Sequence, residues 1–354
     1  MQKRLLSLSV AALSLSLMGA GCFGGGSAAK AATGGMYTSL DAGRTWVAKN
    51  TLVTLPTPSS ISSTDVLSIT FDPQDDTAVY LGTKANGLFY SLDGGEGWMR
   101  PEEELAKNGA VLDIAIHPTE VCTWFVLKVD RLLKTETCGR TFATETYVET
   151  RSDERLTALA LDWYNPRIVW IGTSAGDVIR SVDGGATWAS VFTGRDQIQD
   201  VLISNADSRI ILAATARNGY IRSSDGGATW TDFEDALDAF KSSNRVTGFA
   251  QSTNGDTIVL NSDYGLLVSK DQALTWAAIP LVTPPGEVEI YDVAISPRDA
   301  NVMYYGTNNT LYKSVNGGAG WTTSELPTTR ATSVLAVDPA QEAQLWLGLQ
   351  TIED

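Results

Sequence analysis

The chain has a single histidine, His117, in 354 residues. A Ser-His-Asp hydrolase needs a histidine base. His117 ends the run V-L-D-I-A-I-H-P at the position where sister runs carry Asp72, Asp162 and Asp338, so it reads as a turn residue and a triad is set aside. Cysteine is nearly as scarce: Cys22, Cys122 and Cys138 have no histidine or further thiol beside them, and a zinc site is not expected. Cations are outnumbered, 26 Lys+Arg against 41 Asp+Glu, for a formal charge of -15. That charge repels phosphate backbones and no basic stripe offsets it, so nucleic acid is not an expected partner. No phosphate-binding loop, metal cluster or nucleophile motif occurs, which leaves no catalytic, cofactor or metal residue to nominate.

Long apolar runs are also missing, except at the start. Residues 1–21 carry Lys3 and Arg4, an apolar serine-rich run and a small-residue end before Cys22. The run is short for a membrane span of about 20 residues and reads as an export signal. Residues 19–22, G-A-G-C, resemble a bacterial lipobox, with Gly19 where that pattern usually has an aliphatic residue. The resemblance implies a lipid on Cys22 and a mature protein held on the extracytoplasmic side of a cell-envelope membrane. Residues 22–35, rich in Gly, Ala and Ser, read as a flexible tether, and residues 36–354 as one folded domain.

What is abundant is glycine, 32 residues, much of it in one recurring pattern. Residues 181–188 read S-V-D-G-G-A-T-W. Copies follow or precede as S-L-D-A-G-R-T-W (39–46), S-L-D-G-G-E-G-W (91–98), S-S-D-G-G-A-T-W (223–230), S-K-D-Q-A-L-T-W (269–276) and S-V-N-G-G-A-G-W (314–321), with a decayed copy T-E-T-C-G-R-T-F at 135–142. A period in the forties is that of a propeller blade. Paired glycines supply positive backbone angles, and the carboxylate accepts amides of its own turn. Asp41, Asp93, Asp183, Asp225, Asp271 and Asn316 are therefore structural residues. Calcium needs six to eight oxygens and each repeat offers at most a single carboxylate at the turn position, so these are not expected to be ion sites.

Between turns, short runs rich in Val, Ile, Tyr and Phe are bounded by Gly, Asp, Asn and Pro, the grammar of antiparallel strands, four to a repeat. Seven inner runs begin at Val66, Val111, Leu156, Ile198, Val246, Ile290 and Thr332. The first turn has no inner run before it and the last inner run has no turn after it. The spacing predicts an all-β, seven-bladed propeller closed by a composite blade in which residues 36–46 pair with L-W-L-G-L at 345–349.

These repeats resemble the Asp-box (BNR) propeller superfamily, which includes sialidases, xyloglucan-degrading endoglucanases, the sortilin luminal domain and the photosystem II assembly factor. The resemblance spans about residues 34–354 and is more specific for fold than for function. It implies either a non-catalytic protein-binding or assembly scaffold or a carbohydrate-binding or glycoside-hydrolysing propeller. No arginine motif like that of sialidases precedes the first turn. A glycosidase needs two carboxylates at suitable separation, and Glu102, Glu103, Glu104, Asp153, Glu154, Glu234, Asp235 and Asp238 are available in loops. The scaffold is the expected reading, with another envelope or secreted protein as partner and polysaccharide as the alternative.

Two further constellations stand out. Cys122 opens a second strand and Cys138 lies in the decayed turn, so the intervening hairpin brings them near each other, and an exported chain can oxidise them. Arg155 and Arg245 immediately precede inner runs and Arg330 precedes one by two residues. They are expected around the central opening as a candidate binding face, with surface salt bridges as the competing reading. Trp163, in D-W-Y-N-P, is grouped with them on this candidate face as the tryptophan expected to be exposed for stacking.

Overall fold

The computed structural model describes residues 33–352 apart from residues 55 and 143. The export signal, the Cys22 acylation site and residues 22–32 of the tether lie outside the described residues. Strand structure begins at Gly35, one residue before the expected domain boundary.

Seven antiparallel sheets form the blades. Their inner strands are Val66–Asp72, Val111–Ile116, Leu156–Leu161, Ile198–Ile203, Val246–Gln251, Asp292–Ile295 and Ala331–Val337. Each contacts the next, and the last contacts the first, so the seven close a ring around a central tunnel. We number blades 1 to 7 in that order. Second strands such as Trp124–Lys128, Val169–Thr173 and Ile211–Thr215 are buried at every residue, because neighbouring blades cover both of their faces. Their sequences are accordingly continuous apolar runs rather than alternating ones.

The core lies between blades. Trp98 of blade 1 packs with Met36 and Trp346 of blade 7 and with Val66, Val79 and Leu81 of its own blade. Three of the turn tryptophans reach back through their indole N–H groups: Trp98 donates to the carbonyl of Lys49, Trp188 to that of Thr146 and Trp321 to that of Pro280. Trp276 reaches the Tyr220 hydroxyl of the preceding blade, so these four turns anchor their blades to the ones before them.

The expected composite blade is present. Gly35–Ser39 pairs along its whole length with residues 345–349 of the strand Leu345–Gln350 and then with Val47–Ala48. Blade 1 departs from the four-stranded pattern. Its fourth strand shrinks to the single bridge Tyr90–Met99, and a small hairpin, Thr51–Leu52 with Ser59–Ser60, lies beside Trp98. Among the described residues helix is limited to Glu104–Lys107 and a 3-10 turn at Glu234–Leu237. No helix among the described residues is long and apolar enough to cross a membrane.

The eight-residue turns share one hydrogen-bond plan. In the turn at 181–188, the Ser181 hydroxyl donates to Asp183 Oδ1 and accepts from the Gly185 amide, while Asp183 accepts the Thr187 amide and hydroxyl. The fourth and fifth residues have positive φ in every copy, including non-glycine Ala42, Cys138, Gln272 and Ala273. His117 fills its expected turn role: its Nδ1 accepts the amides of Thr119 and Glu120, as Asp162 Oδ1 accepts those of Tyr164 and Asn165.

Candidate binding face

Strands alternate in direction, so the two ends of the ring differ. One end carries the eight-residue turns and the loops between first and second strands; the other carries the loops between blades and those between second and third strands. Arg155, Arg245 and Arg330 all sit at the second end, at or just before the start of inner strands. Their environments are not alike. Arg330 is largely buried and ion-paired with Asp65 at 2.6 Å. Asp65 also accepts from the Thr351 amide and hydroxyl, so this pair ties blade 7 to the entry of blade 1. Arg245 lies 3.5 Å from Asp263, with 62% of its side chain exposed. Arg155 is exposed, with no acidic partner among the described residues.

The carboxylates singled out above share this end, and two of them are engaged locally through their side chains. Glu104 accepts from Asn108, Glu154 accepts the Ser174 hydroxyl at 2.5 Å, and Glu234 and Asp235 open the 3-10 turn. Between blades 5 and 6 the loops leave a recess of about 560 Å³ next to Arg245, lined by Lys241, Asp263, Tyr264, Pro285 and Glu289 among others. Beside it, burial and the Glu289 carboxylate push the Tyr291 hydroxyl up to about 12. The recess thus offers charges of both signs and one accessible ring.

Trp163 does not belong to this face. It follows the strand Leu156–Leu161 whereas Arg155 precedes it, which puts them at opposite ends of a strand about 20 Å long. The ring is 44% exposed, as expected, but its N–H donates to the Ser204 carbonyl at 3.1 Å and its edge meets Tyr164. The four-residue grouping of three arginines and Trp163 therefore separates into two faces. Cys122 and Cys138, at the same end as Trp163, come together with their Cα atoms 3.9 Å apart and their sulfurs in contact.

Three residues escaped the sequence reading. Asp113, Asp200 and Asp292 are each the third residue of an inner run, and burial pushes all three carboxyls up, Asp113 and Asp292 to about 7. The signal was present as V-L-D, I-Q-D and I-Y-D in alternate repeats. It was hidden because acids in apolar runs resemble strand-end turn residues when only the sequence is in hand.

No protein-family model matches the chain, and no curated protein does. Solved structures do. The GH74 enzyme of Niastella koreensis superposes with a TM-score of 0.64 at 20% identity, over 81% of this chain and 51% of that one. YCF48 from Cyanidioschyzon merolae gives 0.62 at 17% identity, over 84% and 98%. A YCF48 structure with a bound D1 peptide gives 0.63 at 15% identity, over 85% and 96%. The chain spans about half the length of the GH74 enzymes it matches and nearly all of YCF48. At these identities the likeness is one of fold, and it assigns the chain to the seven-bladed β-propellers.

Proposed function

We propose that the protein is an exported, lipid-anchored propeller of the Asp-box type that acts as a non-catalytic scaffold for another envelope or secreted protein. The observation that carries the reading is the inter-blade-loop face. Arg155 there has no acidic partner among the described residues, and Arg245 is only loosely held beside a recess of mixed charge. One guanidinium without an acidic partner and one in a long, exposed ion pair suit carboxylates or backbone carbonyls of an incoming chain. The likeness in length and layout to YCF48, solved with a bound peptide, supports the same class of role. The shared turn geometry supports the Asp-box assignment.

The test is crosslinking of the tagged full chain in its native cells, followed by mass spectrometry, with Cys22→Ala to remove the anchor. Capture of one reproducible protein from the membrane fraction is expected, reduced roughly tenfold or more by Arg155→Ala with Arg245→Ala, two contacts of ordinary polar strength. Arg330 is left intact because it closes the ring. Polysaccharide in place of protein would overturn the scaffold in favour of the second reading, a carbohydrate-active propeller, which the GH74 likeness supports.

A further inference from the structure

The third residues of the seven inner runs are, in ring order, Ser68, Asp113, Ala158, Asp200, Gly248, Asp292 and Val334. Acid alternates with small or neutral around the tunnel, in blades 2, 4 and 6. An inner strand is the edge of its blade, so its tunnel-side amides have no ladder partner and need an acceptor. The aspartates supply it across the blade junction: Asp200 accepts the Phe249 amide of blade 5 at 2.8 Å, and Asp292 accepts the Leu335 amide of blade 7 at 2.7 Å. Asp113 accepts only the amide of its own neighbour, Ile114.

Among the described residues nothing positive faces them. The inner strands contain no Lys, Arg or His, and the residues directly across the ladder are Leu127, Ala214 and Gly306. Other titratable groups on these and the adjoining elements are turned to other partners. The Lys128 ammonium bonds the Asn108 carbonyl, Tyr291 bonds Glu289, and Tyr305 stacks on Tyr312. Tyr304 lies under Lys313, while Asp72 and His117 are at the far, turn-bearing end and bind loop amides there. Asp200 acts electrostatically on both Asp113 and Asp292, two blades away on either side, so the three share the central space.

We propose that Asp113, Asp200 and Asp292 form a proton-loaded ring in which Asp200 and Asp292 fasten blades 4 and 6 to their successors, and that loss of these protons at rising pH loosens the propeller. Three half-buried like charges around one tunnel, with no cationic partner among the described residues, are mutually destabilising. A protonated carboxyl keeps an oxygen for the neighbouring amide while shedding the charge. The sign follows from linkage: the unfolded carboxyls titrate near 4, the folded ones higher, so the folded state holds more protons between those limits. Stability is then fully present below about pH 4 and declines as pH rises toward about 7.

Thermal unfolding of the full chain between about pH 5 and about pH 8 tests this. The expected result is a midpoint that falls by several degrees with rising pH. Replacing all three residues by Asn keeps the amide acceptor, flattens the profile and raises the midpoint at the alkaline end. His117→Asn serves as control and should leave the slope in place. Should the triple variant not fold, Asp200→Asn alone must reduce the slope, and the infrared carbonyl stretch of protonated carboxyls at neutral pH must weaken in it. Parallel profiles for wild type and variants would overturn the proposal. So would a rise in the alkaline midpoint of the wild type on adding calcium or potassium chloride that the Asn variants lack, since the ring would then be neutralised by a cation.

Discussion

A carboxylate in this chain takes opposite character according to where the backbone holds it. In the turns, Asp41, Asp183 and Asp225 lie in water and are held down to about 2: Asp41 chiefly by the Thr45 amide, Asp183 and Asp225 chiefly by the hydroxyls of Thr187 and Thr229. In the tunnel, burial raises Asp113 and Asp292 to about 7. The turn residues, depressed in the folded state, contribute stability above about pH 4 that is lost as pH falls through about 2. The unfolding midpoint should therefore drop on acidification over that window. Asp183→Asn should fold, because Asn316 already serves one turn, where its Oδ1 accepts the Gly320 amide at 2.9 Å. That variant should show a shallower acid loss in melts recorded across the window; an unchanged slope would mean that the carboxylate charge has no part in acid sensitivity.

At the scale of the element, six of the turns are pinned to the start of the second strand of their own blade or to the loop just before it. The fourth turn residue donates its amide across this junction: Gly94 to Thr77, Gly184 to Arg167, Gly226 to Arg209, Gly317 to Asn301, Ala42 to Ala343 and Cys138 to Cys122. In blade 2, where Thr137 replaces the aspartate, the two cysteines occupy both ends of the junction. A disulfide there closes a loop with a sequence separation of 16 residues, worth about 3 kcal/mol in the chain-entropy view. Thiol titration of the unfolded, unreduced protein should find no free thiol at Cys122 or Cys138. Cys122→Ser with Cys138→Ser should lower stability by about 2–4 kcal/mol in denaturant unfolding; two free thiols in the native preparation would dispose of the bridge.

Legibility followed from the same level of organisation. Turn spacing and short apolar runs disclosed seven blades, the composite closure and the hairpin that joins the cysteines, because these depend on local chemistry repeated along the chain. The arginines were placed at the right end of the ring, since sequence order within a blade fixes the end. What the order does not carry is who meets whom across blades. Arg330 finds Asp65 from 265 residues away, and three acids spaced 87 and 92 residues apart in sequence converge in one tunnel. Trp163 was assigned to the wrong end because its exposure, and not its position after the strand, guided the grouping.

The molecule as a whole depends on its last blade. Leu345, Trp346, Leu347 and Leu349 are essentially fully buried, each contributing about 1.5–3 kcal/mol, a sum comparable with the entire net stability of a typical domain. Their removal also exposes the edge of the Gly35–Ser39 strand opposite Val47–Ala48 and one flank of blade 1. A chain lacking residues 331–354 should lose cooperative unfolding and aggregate through that edge, as seen by light scattering and calorimetry; a soluble monomer with an undiminished melting transition would contradict the closed ring.

Closure by the two ends of the domain also sets a schedule for biosynthesis. The strand Gly35–Ser39 is made first, yet its long partner, Leu345–Gln350, is made last. At about 5–20 residues per second, the roughly 300 intervening residues take about 15–60 s. Throughout that interval a buried-type strand waits with one edge open, so for this fold the hazardous species is the chain that has its first six blades but not yet the strand that closes the ring.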